Sequence, residues 1–144
     1  MFFSSLTDRG SVPALVSTLV FSQERLKMIA ENVANLNTPG YRAKQLDTQG
    51  FQGALRRALD ERGDDTTRPF EVEAGDEVRS DDTGRLQVRP SLKPVENGLF
   101  HDGTNLSIER QMADLAETGM MHELATQLLV DKMGALRTAI RGRL

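Results

Sequence analysis

Apolar residues return at every seventh position early in the chain: Val12, Leu19, Leu26 and Val33. Leu15, Ile29 and Leu36 fall on adjoining positions, with Ser22 as the single polar break. That spacing predicts an amphipathic helix with a coiled-coil-like seam, and Gln23, Lys27 and Glu31 mark its wet face. Ser11 is placed to cap the helix, and Pro13 fits a first turn, where no intrahelical donor is needed. Pro39 disfavours helical geometry at Thr38 and Gly40 can take a positive φ, so the stop is well specified. At 1.5 Å per residue the helix would run roughly 37 Å.

Phe51, Leu55 and Leu59, spaced by four, predict a shorter helix over residues 47–62, weakened by Gly50 and Gly53. Residues 63–69 form a polar break. Phe70 to Ala74 and Arg85 to Arg89 alternate as strands do, with turn signals at Gly75-Asp76 and Asp81 to Gly84 around Val78. Asn97-Gly98 and Asp102-Gly103 are further turn signals. A last helix starts near Asn105 or Ser107, either of which can cap it, with Glu109 in its first turn. Its stripe opens with Ile108, Met112 and Leu115 and closes with Leu129, Met133, Leu136 and Ile140. In between, it is polar or small at Gly119, His122 and Thr126, while Met121, Leu124 and Leu128 form a rotated patch. A stripe that changes direction predicts a helix touching different neighbours along its length.

The fold class expected is therefore mainly α: long N- and C-terminal helices that pair in a coiled-coil-like manner, with a small loop-rich β region between them. Residues 1–10 are expected to be a flexible tip, 11–46 a helix and turn, 47–104 the short helix plus β region, and 105–144 the C-terminal helix. Apolar residues make up only 38% of the 144 and aromatics 5%, so a thick self-sufficient core is not expected. An amphipathic helix exposes its seam in a lone subunit, which predicts terminal helices that order largely when subunits assemble.

Composition also narrows the chemistry. A net charge of −3 without a basic stripe argues against nucleic acid as a partner; Arg137, Arg141 and Arg143 suit the negative end of a helix dipole. The absence of cysteine removes disulfides, thiolate metal sites and cysteine nucleophiles. No apolar run approaches the ~20 residues of a membrane span, and Val12 to Phe21 lacks the flanks of a cleaved signal peptide. His101 and His122 sit in separate elements without metal-ligand spacing. Asp64-Asp65 and Asp81-Asp82 lack an EF-hand spacing and suit solvated turns, and Asn105-Leu106-Ser107 suits a helix cap better than a glycosylation site. No phosphate-cradling loop, nucleophile elbow or paired-carboxylate motif appears. No catalytic residue, cofactor, metal or small-molecule substrate is expected.

The run Glu31-Asn32-Val33-Ala34-Asn35-Leu36-Asn37-Thr38-Pro39-Gly40-Tyr41-Arg42-Ala43-Lys44 closely resembles the axial proteins of the bacterial flagellum, specifically the basal-body rod family and its proximal-rod branch. Asn105 to Ala116 and Lys132 to Ile140 are similar to the family's C-terminal stretch. Thr48 and Met120-Met121-His122 depart from it, and the centre carries no resemblance. The resemblance implies a structural subunit of the rod, exported by the flagellar type III apparatus without signal cleavage, its terminal helices packing in a tube that crosses the periplasm. Implied partners are copies of itself, other rod proteins, and the rod-base adaptor, export-gate and membrane-ring components. A soluble coiled-coil adaptor or export chaperone is the alternative.

Candidate subunit contacts are Leu19, Leu26, Ile29 and Val33 along the first seam and Met112, Leu115, Leu129, Met133 and Leu136 along the last. Asn32, Asn35 and Asn37 are candidates because carboxamides both donate and accept and can fix register between subunits; alternatively they loosen and cap a helix end. Thr38, Pro39, Gly40 and Tyr41 complete the set, with the tyrosine ring as anchor and its hydroxyl wet. The methionines at 112, 120, 121 and 133 suit either variable contacts or ordinary core filling.

Overall fold

The computed structural model describes residues 11–63, 65, 67–92 and 108–142. The elements run α1 (Val12–Ala34), β1 (Lys44–Gln45), α2 (Thr48–Arg62), β2 (Glu73–Ala74), β3 (Val78–Ser80), β4 (Leu86–Val88), β5 (Ser91–Leu92) and α3 (Ile108–Ile140). The chain is mainly helical, with its two long helices packed together and small sheets between them, as expected. The N-terminal tip, His101, the turns at 97–98 and 102–103, and the caps proposed at Asn105 and Ser107 lie outside the described residues.

α1 carries Pro13 in its first turn and ends at Ala34, earlier than the proline alone dictates. Asn35 explains the early stop. Its Nδ2 donates to the Glu31 carbonyl at 2.8 Å, while its own N–H is shared between the Glu31 and Asn32 carbonyls. Thr38 to Tyr41 then form a β-turn closed by Tyr41 N–H to the Thr38 carbonyl at 3.2 Å, with Gly40 at φ 74°. Proline followed by a positive-φ glycine is the sequence that a type II turn requires. α2 is capped by Asp47, whose carboxylate accepts from Gly50 N–H at 2.9 Å. A Cβ at Gly50 would collide with that carboxylate, so the glycine that weakens the helix on propensity is what admits its cap.

β2, β3 and β4 form an antiparallel sheet in that order, with Val78 opposite Val88 and Ala74 opposite Val78. β1 pairs antiparallel with β5, Lys44 against Leu92. That long-range pair has no local sequence signal, being only two residues per strand.

The core lies between α1, α2 and the larger sheet. Phe21 stacks on Phe51 with centroids 4.0 Å apart and rings within 1° of parallel. Met28, Ile29, Leu46, Ala54, Ala58, Val72, Val78 and Leu86 surround them, and α3 adds only Met121 at the margin. The buried faces are rotated from the expected ones. On α1, Leu19, Leu26 and Val33 are half-buried, while Phe21, Arg25, Met28, Ile29 and Asn32 are fully buried. On α2, Phe51, Ala54 and Ala58 face inward and Leu59 stays exposed. The reason is that α1 serves two partners at once, the core on one side and α3 on another, so no single heptad stripe describes it. Phe51→Ala removes one ring of the central stack and is expected to cost about 3–5 kcal/mol, read from the shift in urea midpoint.

Candidate assembly interface

α1 and α3 pack antiparallel, and the seam between them is polar. Ser22, fully buried, has its Oγ 2.8 Å from His122 Nδ1 and 3.0 Å from the Leu19 carbonyl. Arg25 is buried and pairs through Nη2 with Asp114 at 3.2 Å, while its Nη1 lies 3.8 Å from Glu117. Asn32 Nδ2 reaches Gln111 Oε1 at 3.4 Å. Ser17 and Ala125 are buried, as is Thr118, whose hydroxyl donates to the Asp114 carbonyl at 2.6 Å. Small and polar side chains let the helix backbones approach, and buried polar groups hold only where they find partners.

Asn32 is the most connected of these residues. Its Nδ2 also donates to the Lys44 carbonyl at 2.9 Å, and its Oδ1 accepts from Lys44 N–H and Tyr41 Oη, both at 3.0 Å. All four bonds open to a carboxamide are thus made. The side chain acts as a strand neighbour for β1, matching both backbone groups of Lys44. Tyr41 is half-buried and its hydroxyl is tied to Asn32, correcting the expectation that it stays in water. Lys44 Nζ meets Glu31 Oε2 at 2.6 Å, which brings the Glu31 carboxyl below its ordinary range and raises the lysine.

The outer surface has the opposite character. Of the eleven markedly exposed large hydrophobic side chains among the described residues, eight lie on α3, so this helix turns its greasy side away from the molecule. Ile108, Met112, Met120, Leu124 and Leu128 share the four-residue period of one ridge, with Ala116 filling the gap. Ridges of that period are the elements that interlock when helices pack.

The candidate contact residues therefore divide. Met112 and Leu115 are exposed on α3; Leu129, Met133 and Leu136 are half-buried there. Leu19, Leu26 and Val33 are half-buried on α1. Asn37, Thr38, Pro39 and Gly40 are exposed at its end, beside half-buried Asn35. Ile29 and Asn32 lie inside the subunit and bear on a contact only through what they hold in place. Sequence reasoning missed Arg25, Gln111 and Thr118. The available signal was their spacing: 111, 114, 118, 122 and 125 repeat at three and four, but in polar and small residues rather than apolar ones.

No cluster of histidine and carboxylates among the described residues could hold a metal. Around a cleft of about 790 Å³ lined by Asp47, Arg57, Glu73, Asp76 and Glu77, three carboxylates are engaged: Asp47 accepts from Gly50 N–H, Glu77 from Asp47 N–H at 2.8 Å and from the Ser91 hydroxyl, and Glu73 pairs with Arg79. Asp65 and Asp81 each accept from a threonine two residues on, forming local turns that lower their carboxyl pKa values.

A helix pair with a polar inner seam and an apolar outer ridge offers a surface suited to assembly. The family model described as "Flagella basal body rod protein" matches residues 14–42, which are α1 and the turn after it. The flagellar basal body rod protein FlgB of Cereibacter sphaeroides is 29% identical over 138 residues, 93% of this chain and 96% of the relative. FlgB of Bacillus subtilis is 24% identical over 92% of this chain and 95% of its own, and FlgB of Aeromonas hydrophila 24% over 83% of each. Over more than nine-tenths of its length the chain is thus similar to flagellar basal body rod proteins, a family of structural subunits.

Asn32→Ala strands a buried N–H, a carbonyl and a phenol together and is expected to destabilise by about 2–4 kcal/mol, measured by chemical denaturation. The Glu31–Lys44 pair sets a pH dependence. Because Glu31 is lowered, its contribution is complete at neutral pH and is lost as pH falls below the ordinary carboxylate range. Thermal melts across pH should show Glu31→Gln flattening that acid limb. Both side chains are well exposed, so high salt should shrink the effect.

Proposed function

We propose that this chain is built into the proximal part of the flagellar rod, with the α1–α3 pair lying in the tube wall and the apolar ridge of α3 covered by adjacent subunits. The observation that carries this is the ridge itself. Met120 is 66% exposed and Leu124 62%, on a helix whose buried positions are the polar or small Gln111, Thr118 and Ala125. A lone soluble protein gains nothing from that arrangement, whereas burying each such side chain against a neighbour is worth about 1 kcal/mol or more. The exposed Asn37 to Gly40 turn, held rigid by Asn32 behind it, supplies a second, polar contact.

The neighbours in this reading are further copies of the chain and other rod proteins, with adaptor, export-gate and membrane-ring components at the rod base. The chain reaches the periplasm through the flagellar type III apparatus without loss of a signal peptide. No helix among the described residues is long and apolar enough to cross a membrane. The small core and the absence of cysteine suit a chain that travels unfolded through a narrow channel.

Leu124→Glu tests the proposal, since it alters the ridge and not the core. The purified variant is expected to keep its unfolding midpoint within about 0.5 kcal/mol of the parent. In cells lacking the natural chain it should be absent from detergent-extracted basal bodies and leave them non-motile. Full motility with Leu124→Glu, or a parent chain found only in the soluble fraction, would overturn the reading and favour the adaptor.

A further inference from the structure

We propose that the polar groups between α1 and α3 determine specificity: they hold this chain's own α3 against its own α1 in one register and reject other helices and other registers. This rests on the reading of the outer ridge as the face given to neighbours, since such a face brings many similar helices together. An apolar seam would be a poor discriminator in that setting, because leucine against leucine tolerates a slip of one heptad or an exchange of partner. Three polar links along the seam do not. Ser22 meets His122, Arg25 meets Asp114 and Glu117, and Asn32 meets Gln111.

Arg25 dominates this discrimination. Its side chain is 9% exposed, and Nη1 has no hydrogen-bond partner, so it is held by Asp114 on one arm and by the field of Glu117 on the other. Slipping α3 by seven residues moves it roughly 10 Å along the axis. A slip in one direction would bring Met121 to the level of Asp114 and leave the guanidinium buried without that counter-charge. Removing one partner from a buried ion pair is strongly unfavourable, whereas replacing the charge by a well-packed apolar group is often neutral or better. The arginine therefore adds little stability and much selectivity, which is the pattern expected where wrong pairings are penalised.

The chain has no cysteine, so a ladder of introduced pairs can read the register in the full-length protein. Ser22→Cys is combined in turn with Leu115→Cys, His122→Cys or Leu129→Cys, three positions one heptad apart, and oxidised at low concentration. In the otherwise natural chain only the 122 pair should close, because the others lie beyond the roughly 7 Å Cα reach of a disulfide. In an Arg25→Met, Asn32→Leu background, disulfides at 115 or 129 and between chains should rise by about tenfold or more. A second arm uses charge exchange: Arg25→Glu alone should scatter the pairing, and adding Asp114→Arg should restore the single register. The charge exchange decides the matter if circular dichroism shows the apolar variant unfolded. An unchanged ladder in the apolar background, or no rescue by Asp114→Arg, would overturn the proposal. Neither readout needs a tube to form, so this result stands apart from the fate of Leu124→Glu.

Discussion

Desolvation of a few polar side chains along one helix–helix contact organises this molecule. Ser22, Arg25 and Asn32 leave water when α1 meets α3, and each finds its counterpart on the opposite helix. With polar and small side chains filling the buried positions of the pair, most large apolar residues of α3 fall on the outside. The oily residues of α3 are consequently displayed rather than hidden, and the true core is built elsewhere, around the Phe21–Phe51 stack.

The loop after α1 belongs to the same economy of partners. Asn32 serves Lys44, Tyr41 and Gln111 at once, so the turn at Thr38 to Tyr41, the first strand and the start of α3 share a single buried anchor. A solvent-exposed turn is tied down by an amide in the last turn of the preceding helix. The family match covers α1 and this turn, the stretch where anchor and turn are both encoded.

The helices, their approximate bounds, the Pro-Gly turn and the thin β region were legible in the sequence because each depends on local periodicity or on residues with restricted backbones. The direction of the helix faces was legible only in part: Val12, Ile29 and Phe51 are buried as their spacing implied, and other seam positions are not. Heptad spacing pointed to Leu19, Leu26 and Val33, but α1 lies against two different surfaces, and its most buried line runs through Phe21, Arg25, Met28 and Asn32. An arginine within that line reads as surface until its carboxylate partner, 89 residues away, is known. Ser22 was visible as an interruption; its meaning needed His122. The β1–β5 pair left no trace, since a two-residue strand has no period to detect. Of the proposed contact residues, Met112, Leu115 and the turn lie open on the surface, whereas Ile29 and Asn32 proved to be internal.

The four-residue period of the outer ridge has a geometric outcome of its own. Four residues overshoot a full turn by about 40°, so from Ile108 to Leu128 the band precesses through roughly 200° and its two ends look in nearly opposite directions. No single flat companion can dress a helix whose greasy band circles halfway around it. Such an element offers apolar contact on two sides at once, as a stave in a barrel wall would and as one half of a dimer need not.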